Sequence, residues 1–276
     1  MTRSEYEDFL KISAGKKPAD LVIKNVSYLD VFTNEFRKGN IAIANGSFAG
    51  KGDYCGRVEI DMSGKTIVPG CIDGHIHIES TTVVPSIFAK EALKHGTTAI
   101  LTDPHEITNV MGVDGIRYMI EATKGLPLDV FFMLPSCVPS CEFDESGAII
   151  SAKDMLPFLD NSRVYGLAEL MDVNAVVNRD SSVIEKTYQT IQHNKLIDGH
   201  APLVSGQRLM SYVAAGVLSD HECSNINEAI EKLGVGLWIM IREGTAAQNL
   251  EALIELCKEP YASRCMFCTD DRHIND

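Results

Sequence analysis

The sequence predicts an α/β protein, namely a TIM-type (β/α)8 barrel preceded by a small N-terminal β domain. From residue 67 onward, eight strand-like segments alternate with helix-like segments, a pattern typical of parallel strands joined by right-handed crossovers. The chain has 276 residues, 45% of them hydrophobic, which suffices for a barrel of about 250 residues. An open doubly wound sheet is the alternative, but the chain shows no Gly-rich dinucleotide loop.

Residues 1–66 are expected to form the N-terminal part of the β domain. A short helix and a turn occupy residues 1 to about 18, and no helical periodicity follows them. Short apolar segments separated by turn residues predict strands at 21–26, 40–44 and 58–61, with a turn at 34–39.

Residues 67–276 are expected to form the barrel. Its strands are predicted at 67–79, 97–103, 129–134, 164–170, 196–200, 217–222, 236–242 and 264–270. The intervening helices are predicted at 83–94, 112–123, 152–159, 182–193, 206–215, 225–233 and 246–258. No helix follows the eighth strand, so the barrel is expected to lack its final helix and the chain to be truncated there.

Composition excludes several classes of partner. The net charge is −13 and no block of Lys or Arg stands out, which argues against nucleic acid. No apolar run approaches the roughly 20 residues that span a bilayer, so no membrane partner is expected. The eight cysteines are scattered through an apolar chain whose N-terminus does not resemble a secretory signal. We therefore expect reduced, mostly buried thiols and a cytoplasmic protein.

The first barrel strand carries two histidines that predict half of a metal site. His75 and His77 are two residues apart, so in a strand their side chains project from the same face. Two imidazoles on one side of a strand end are suited to a divalent cation. The alternative is a pair of surface histidines near a turn.

Other polar side chains cluster at predicted strand ends, where barrel active sites lie. Five of the eight histidines are at or next to such an end. The strand-end residues beyond the first strand are Asp103, His105, Glu106, Glu169, His200, His221, Asp270 and Asp271. Four imidazoles and a bridging Glu169 could hold two divalent ions about 3.5–4 Å apart, with Asp270 accepting a proton. This pattern indicates a hydrolase without a Ser or Cys nucleophile and without a P-loop.

The segment PGCIDGHIH at 69–77 resembles the opening motif of the amidohydrolase superfamily, which joins a small β domain to a metal-dependent (β/α)8 barrel. Within that superfamily the chain resembles the adenine deaminases. The resembling segments are HIHIES (75–80), TDPHE (102–106), GLAELM (166–171), DGHAP (198–202), SDHE (219–222), REGTA (242–246) and CTDDRH (268–273). Most two-metal members of the superfamily have a modified Lys on the fourth strand, where this chain has Glu169.

The resemblance implies a role for each matching residue. His75 and His77 would bind one metal, His200 and His221 the other, and Glu169 both. Asp270 would be a metal-associated acid/base, with Asp271 the weaker candidate for that role. The residues near the substrate would be Asp103, His105, Glu106 and Arg242. Asp103, His105 and Glu106 could instead lie near an extra metal, and the alternative to both roles is a helix-capping turn. For Arg242 with Glu243 the alternative is a surface ion pair.

The resemblance also implies the reaction. A metal-bound hydroxide would attack C6 of adenine and release ammonia, leaving hypoxanthine, in purine salvage. The deaminases that carry His-x-Glu together with Pro-Cys-x-x-Cys are excluded, since the chain has no Pro-Cys-x-x-Cys segment. The implied cofactors are two divalent ions, Mn or Fe, with Zn as an alternative. A homodimer is the expected assembly. The alternatives are an amidohydrolase acting on a cyclic amide and an inactive metal-binding fragment.

Overall fold

The computed structural model describes residues 1–141 and 143–276. It divides into two compact units, Met1–Pro69 and Gly70–Asp276.

The first unit contains one helix and one mixed sheet. Helix α1 spans Arg3–Ser13 and begins with a capping box, in which Thr2 and Glu5 each accept the other's backbone N–H. The strands are β1 (Ala19–Asp30), β2 (Glu35–Ala44), β3 (Ser47–Lys51), β4 (Gly56–Asp61) and β5 (Thr66–Ile67). Their order is β3-β2-β1-β4, and β5 also pairs with β1.

The turn predicted at 34–39 is wrong over most of its length. Strand β2 already begins at Glu35, and Phe36 pairs with Leu29 of β1. The first four residues of β2 are exposed on both faces of the sheet. Polar residues are tolerated at such positions, and their sequence therefore resembles that of a turn.

The second unit is built on parallel strands. Five strands form one sheet in the order β10-β9-β8-β7-β6, and three form another in the order β11-β12-β13. These strands are β6 (Cys71–Ile76), β7 (Thr97–Thr102), β8 (Asp129–Leu134), β9 (Val164–Leu170), β10 (Leu196–Gly199), β11 (Ser219–Asp220), β12 (Trp238–Arg242) and β13 (Cys265–Cys268). The Leu218 N–H donates to Ile197 (3.0 Å) and the Asp270 N–H donates to His75 (2.9 Å). These bonds connect the two sheets on both sides.

Helices alternate with the strands of the second unit, which confirms the predicted α/β class. They are α2 (Pro85–Lys94), α3 (His105–Met111), α4 (Val113–Ala122), α5 (Ala152–Leu159), α6 (Val173–Asn178), α7 (Ser181–Gln192), α8 (Gly206–Ala214), α9 (Ile226–Gly234) and α10 (Leu250–Leu253). Three short 3₁₀ segments lie at Glu79–Thr81, Ile254–Cys257 and Ala262–Arg264. Helices α3 and α6 were not predicted.

The helix predicted at 246–258 is wrong in length. Residues 244–249 form a turn in which the Gly244 N–H donates to Ala247 (2.9 Å). The Glu243 carboxylate then accepts the Leu250 N–H (3.0 Å), so α10 begins only at Leu250. A carboxylate at this end satisfies one of the free N–H groups of the first turn.

The first barrel strand, predicted as one run over 67–79, is interrupted at Pro69. Ile67 ends β5, which belongs to the first unit, and β6 begins at Cys71. Proline has no N–H to continue a strand ladder, which explains the break. Strand β6 ends at Ile76, so His77 lies directly after the strand.

The core of the second unit lies on both faces of the parallel strands, as expected for strands covered by helices. Ile100, Phe132, Leu134, Leu167 and Ile197 are among its buried side chains. All eight cysteines are free, but only Cys137, Cys223 and Cys268 are buried, so the expectation of mostly buried thiols is wrong. Within the described residues, no helix combines the length and apolar character needed to cross a membrane.

Candidate metal centre

His75 and His77 present their Nε2 atoms to one point. Both side chains are buried, and the two Nε2 atoms are 3.1 Å apart. The other ring nitrogen of each histidine has a fixed partner. His75 Nδ1 is 3.2 Å from Asp198 Oδ2, and His77 Nδ1 is 2.8 Å from the backbone oxygen of Asp103. Partners at Nδ1 set the ring orientation and leave Nε2 free to bind a cation.

Glu169 lies between two pairs of histidines. Its Oε1 atom is 3.2 Å from His75 Nε2 and 2.9 Å from His77 Nε2. Its Oε2 atom is 2.9 Å from His200 Nδ1 and 3.5 Å from His221 Nε2. The structure therefore brings these five sequence-predicted residues together, with one carboxylate oxygen facing each pair.

Asp270 follows β13 and faces the first histidine pair. Its Oδ1 atom is 3.1 Å from His77 Nε2 and 3.5 Å from His75 Nε2. Its Oδ2 atom accepts a hydrogen bond from Arg242 Nη1 at 2.9 Å. The same Nη1 group also donates to Glu222. Asp270 thus has one oxygen toward the histidines and one held by a guanidinium.

The residues after β7 adjoin the same pair. Asp103 is fully buried, and its Oδ2 atom is 3.0 Å from His105 Nδ1. His105 Nδ1 is also 3.5 Å from Glu169 Oε1. Glu106 Oε1 is 3.5 Å from His77 Nδ1. All three side chains predicted from the second strand therefore lie beside the candidate centre.

Burial and hydrogen bonding decide between the alternative roles that the sequence left open for Asp103, Arg242 and Asp271. The carboxylate that accepts an N–H of the first turn of α3 is that of Glu79, bonded to Ile107 (3.3 Å), so the capping turn predicted as the alternative for Asp103 is wrong. Arg242 is 8% exposed, so its ion pair is buried rather than on the surface. Asp271 is exposed and accepts a hydrogen bond from Ser80, whereas Asp270 is buried and faces His77.

Charges are strongly coupled in this centre. Burial alone would lower the pKa of His75 and His77, but the Glu169 and Asp270 carboxylates raise both well above the ordinary value. Burial alone would raise the pKa of Glu169 and Asp270, but the facing histidines hold both below their usual range. For His105 the opposing effects of burial and the Asp103 carboxylate leave the pKa raised to about 12. The Glu169 and Asp270 carboxylates are therefore both ionised near neutral pH.

The donor set fits divalent cations. Within the described residues, Glu169 Oε1, Asp103 Oδ1 and both ring nitrogens of His221 are buried without a hydrogen-bond partner. Orphaned buried polar atoms are unfavourable unless a water or an ion satisfies them. Two groups of four residues place ligand atoms within 4.8 Å of one another: His75, Glu169, His221 and Asp270; and His77, Asp103, His105 and Glu169. Imidazole and carboxylate ligands suit Zn, Mn and Fe.

Comparison with known proteins identifies the family. The profile of the Amidohydrolase family matches residues 66–271. The chain belongs to the amidohydrolase family. A solved structure of a triazine hydrolase variant shares the fold, with a TM-score of 0.62, 14% identity, and coverage of 91% of this chain and 71% of that chain.

Curated relatives in this family include two proteins called adenine deaminase. The one from Clostridium acetobutylicum is 47% identical over 98% of this chain and 47% of its own length. The one from Desulfatibacillum aliphaticivorans is 45% identical over 98% of this chain and 48% of its own length. This amidohydrolase chain spans about half the length of the curated relatives it matches.

Four residues of this amidohydrolase site were not assigned a role from the sequence. Asp198 and Glu222 lie within two residues of His200 and His221, so their position at strand ends was a usable signal. Tyr212 and Lys232 lie inside α8 and α9, where an aromatic or basic residue at helical spacing carries no such signal. Only the packing of these helices against the strands brings them to the site.

Proposed function

We propose that this chain carries the active site of an adenine deaminase, which hydrolyses adenine to hypoxanthine and ammonia in purine metabolism. Two relatives of that name align with almost the whole chain. A glutamate stands where a bridging ligand is expected, in line with the resemblance that distinguishes this group from relatives acting on cyclic amides.

The observation that carries the proposal is the position of the Glu169 carboxylate. One oxygen faces His75 and His77 and the other faces His200 and His221. We infer that each histidine pair would hold one divalent cation, that Glu169 would be a ligand of both, and that Asp270 would be a further ligand of the first. Mn(II) or Fe(II) is proposed, with Zn(II) as the alternative, since the nitrogen and oxygen donors accept all three.

Bound divalent cations would supply a water molecule of lowered pKa and would neutralise developing negative charge. Asp270 is ionised and beside His77, so it can take a proton from the attacking water and return it to the departing amino group. Asp103, His105 and Glu106 are proposed to face the purine. Arg242 remains a predicted purine contact, and its bond to Asp270 supports a role in orienting that carboxylate.

Further proposals concern the fold and the setting of the protein. The hydrogen bonds that join the two parallel sheets support a closed (β/α)8 barrel. The free cysteines support a cytoplasmic location. A purine base as the small-molecule partner, a homodimer, and no nucleic-acid or membrane partner remain predictions.

The test is ammonia release from adenine by the chain reconstituted with Mn(II). Glu169→Gln should lower the rate by at least about 10²-fold, because the neutral amide cannot offset two cations. The matched control is Glu121→Gln, a change of an exposed glutamate on α4 that pairs with Lys124. Hydrolysis of hydantoin without ammonia release from adenine would contradict the proposed substrate. An active Glu169→Gln variant would contradict the proposed site.

A further inference from the structure

Lys232 is a fully buried lysine whose three donors are all used. It lies in α9 with 0% exposure. Its Nζ atom donates to the backbone oxygen of Ala201 (2.6 Å), to Asp220 Oδ2 (2.8 Å) and to Glu228 Oε1 (2.8 Å). Burying an ammonium group is costly even when it is paired, so such an arrangement is weak evidence for stability and calls for another role.

The contacts of Lys232 connect the loops that carry the second histidine pair. Ala201 directly follows His200, and Asp220 directly precedes His221. Asp220 Oδ1 accepts the N–H of Ala201 at 2.7 Å, while Lys232 holds the carbonyl of the same residue. The Lys232 ammonium and the Asp220 carboxylate therefore bind the C=O and the N–H of Ala201, respectively. Because Asp220 directly precedes His221, these bonds connect the backbone next to His200 with the backbone next to His221.

His221 depends on its backbone for orientation. Neither of its ring nitrogens has a hydrogen-bond partner among the described residues, whereas His75 and His77 each have a partner at Nδ1. The ring stacks on His75, with centroids 4.1 Å apart and planes 14° apart. Stacking leaves the ring free to slide in its own plane, and the Glu169 and Glu222 carboxylates lie 3.5 Å from Nε2, too far to fix it by a good hydrogen bond. The backbone position of His221 therefore largely sets where Nε2 points.

The cluster around Lys232 is not itself a metal site. Asp220, Cys223 and Glu228 place ligand atoms within 4.8 Å of one another. The Lys232 ammonium already contacts Asp220 and Glu228 and supplies the positive charge that a cation would bring. The lysine occupies the place of an ion there.

We propose that Lys232 is a positioning residue for the His200 and His221 half of the metal centre, acting through Asp220 and Ala201. This inference rests on the proposed function, because it requires that these two histidines bind a cation. Partners that orient metal ligands typically contribute about 10- to 100-fold to metal affinity. Loss of Lys232 should therefore weaken the second cation and leave the first, bound by His75 and His77, largely unchanged.

The experiment measures Mn(II) binding to the chain by isothermal titration calorimetry and by the electron paramagnetic resonance signal of spin-coupled Mn(II) pairs. For Lys232→Met we expect the dissociation constant of the second Mn(II) to rise about 10- to 100-fold and the coupled signal to be lost at limiting Mn(II). The matched control is Lys195→Met. Lys195 also donates to a backbone oxygen, that of Val164 (2.6 Å), but at the start of β9 and β10, away from the centre.

A second variant covers the case in which Lys232→Met does not fold. Combining Lys232→Met with Asp220→Asn removes both charges, so no unpaired carboxylate stays buried. The double variant should show the same weakened second site. A second dissociation constant equal to that of the wild-type chain, in either folded variant, would overturn the role of Lys232. A wild-type chain that binds only one Mn(II) would instead overturn the proposed two-cation centre.

Discussion

Arg242 Nη1 lies 2.9 Å from Asp270 Oδ2, and both side chains are buried. The guanidinium is itself fixed, because it also pairs with Glu222 and its Nε donates to Asn249 Oδ1 at 3.1 Å. Asp270 is therefore held from the side opposite His77, with one oxygen left toward the candidate centre.

Replacing Arg242 by Lys should lower kcat for adenine by about 10²-fold with a smaller change in KM, because a point charge cannot hold Glu222 and Asp270 in the same geometry. The measurement is steady-state ammonia release with saturating Mn(II). The matched control is Arg264→Lys, since Arg264 is exposed and donates to the Gly236 carbonyl at the start of β12. An unchanged kcat in Arg242→Lys would show that Asp270 is oriented without the guanidinium.

Mn(II) should stabilise the chain against urea. A ligand that binds only the folded state adds about 2.7 kcal/mol at 100 times its dissociation constant. The expected result is a higher urea midpoint in Mn(II) than in EDTA, measured by circular dichroism. Glu169→Gln should lose most of this increase, because one side of each proposed cation would face a neutral amide. Equal midpoints with and without Mn(II) would argue against a bound cation.

The Tyr212 hydroxyl joins two of the site's strands. It donates to the Leu170 carbonyl (2.6 Å), next to Glu169, and accepts the His200 N–H (2.8 Å). Tyr212→Phe removes both hydrogen bonds of this buried hydroxyl, so it should reduce the free energy of unfolding by about 1–3 kcal/mol. Tyr188→Phe, at an exposed position of α7, should change it by less than about 0.5 kcal/mol. Similar losses in the two variants would show that the hydroxyl bonds do not matter.

Gly166 allows β9 and β10 to pair closely. A Cβ at this position would lie 2.0 Å from the Leu196 carbonyl oxygen of the neighbouring strand. Gly166→Ala should therefore destabilise the fold by about 1–3 kcal/mol or prevent folding. Gly234→Ala, at the end of α9, should stabilise it by about 0.5–1 kcal/mol, because among the described residues no atom beyond its chain neighbours and its own helix lies within 4 Å of the added Cβ. The measurement is the free energy of urea unfolding of both variants. A Gly166→Ala chain as stable as the wild type would mean that β9 and β10 can move apart at this point.

The sequence by itself determined the alternation of strands and helices and the residues that meet at the strand ends. Strands buried on both faces require continuous apolar runs, such as 129–134 and 164–170, which are visible without coordinates. Because the carboxyl ends of parallel strands share one edge, His75, Glu169 and His221 were expected together even though they are far apart in the chain.

Only the tertiary structure decided which atoms face one another. The division of the Glu169 oxygens between two histidine pairs depends on the relative stagger of four strands, which no local pattern encodes. Helix packing likewise brings Tyr212 and Lys232 to the site from positions that look like ordinary helix interior. The break at Pro69 and the short α10 also required coordinates, because each depends on where the neighbouring backbone finds its hydrogen bonds.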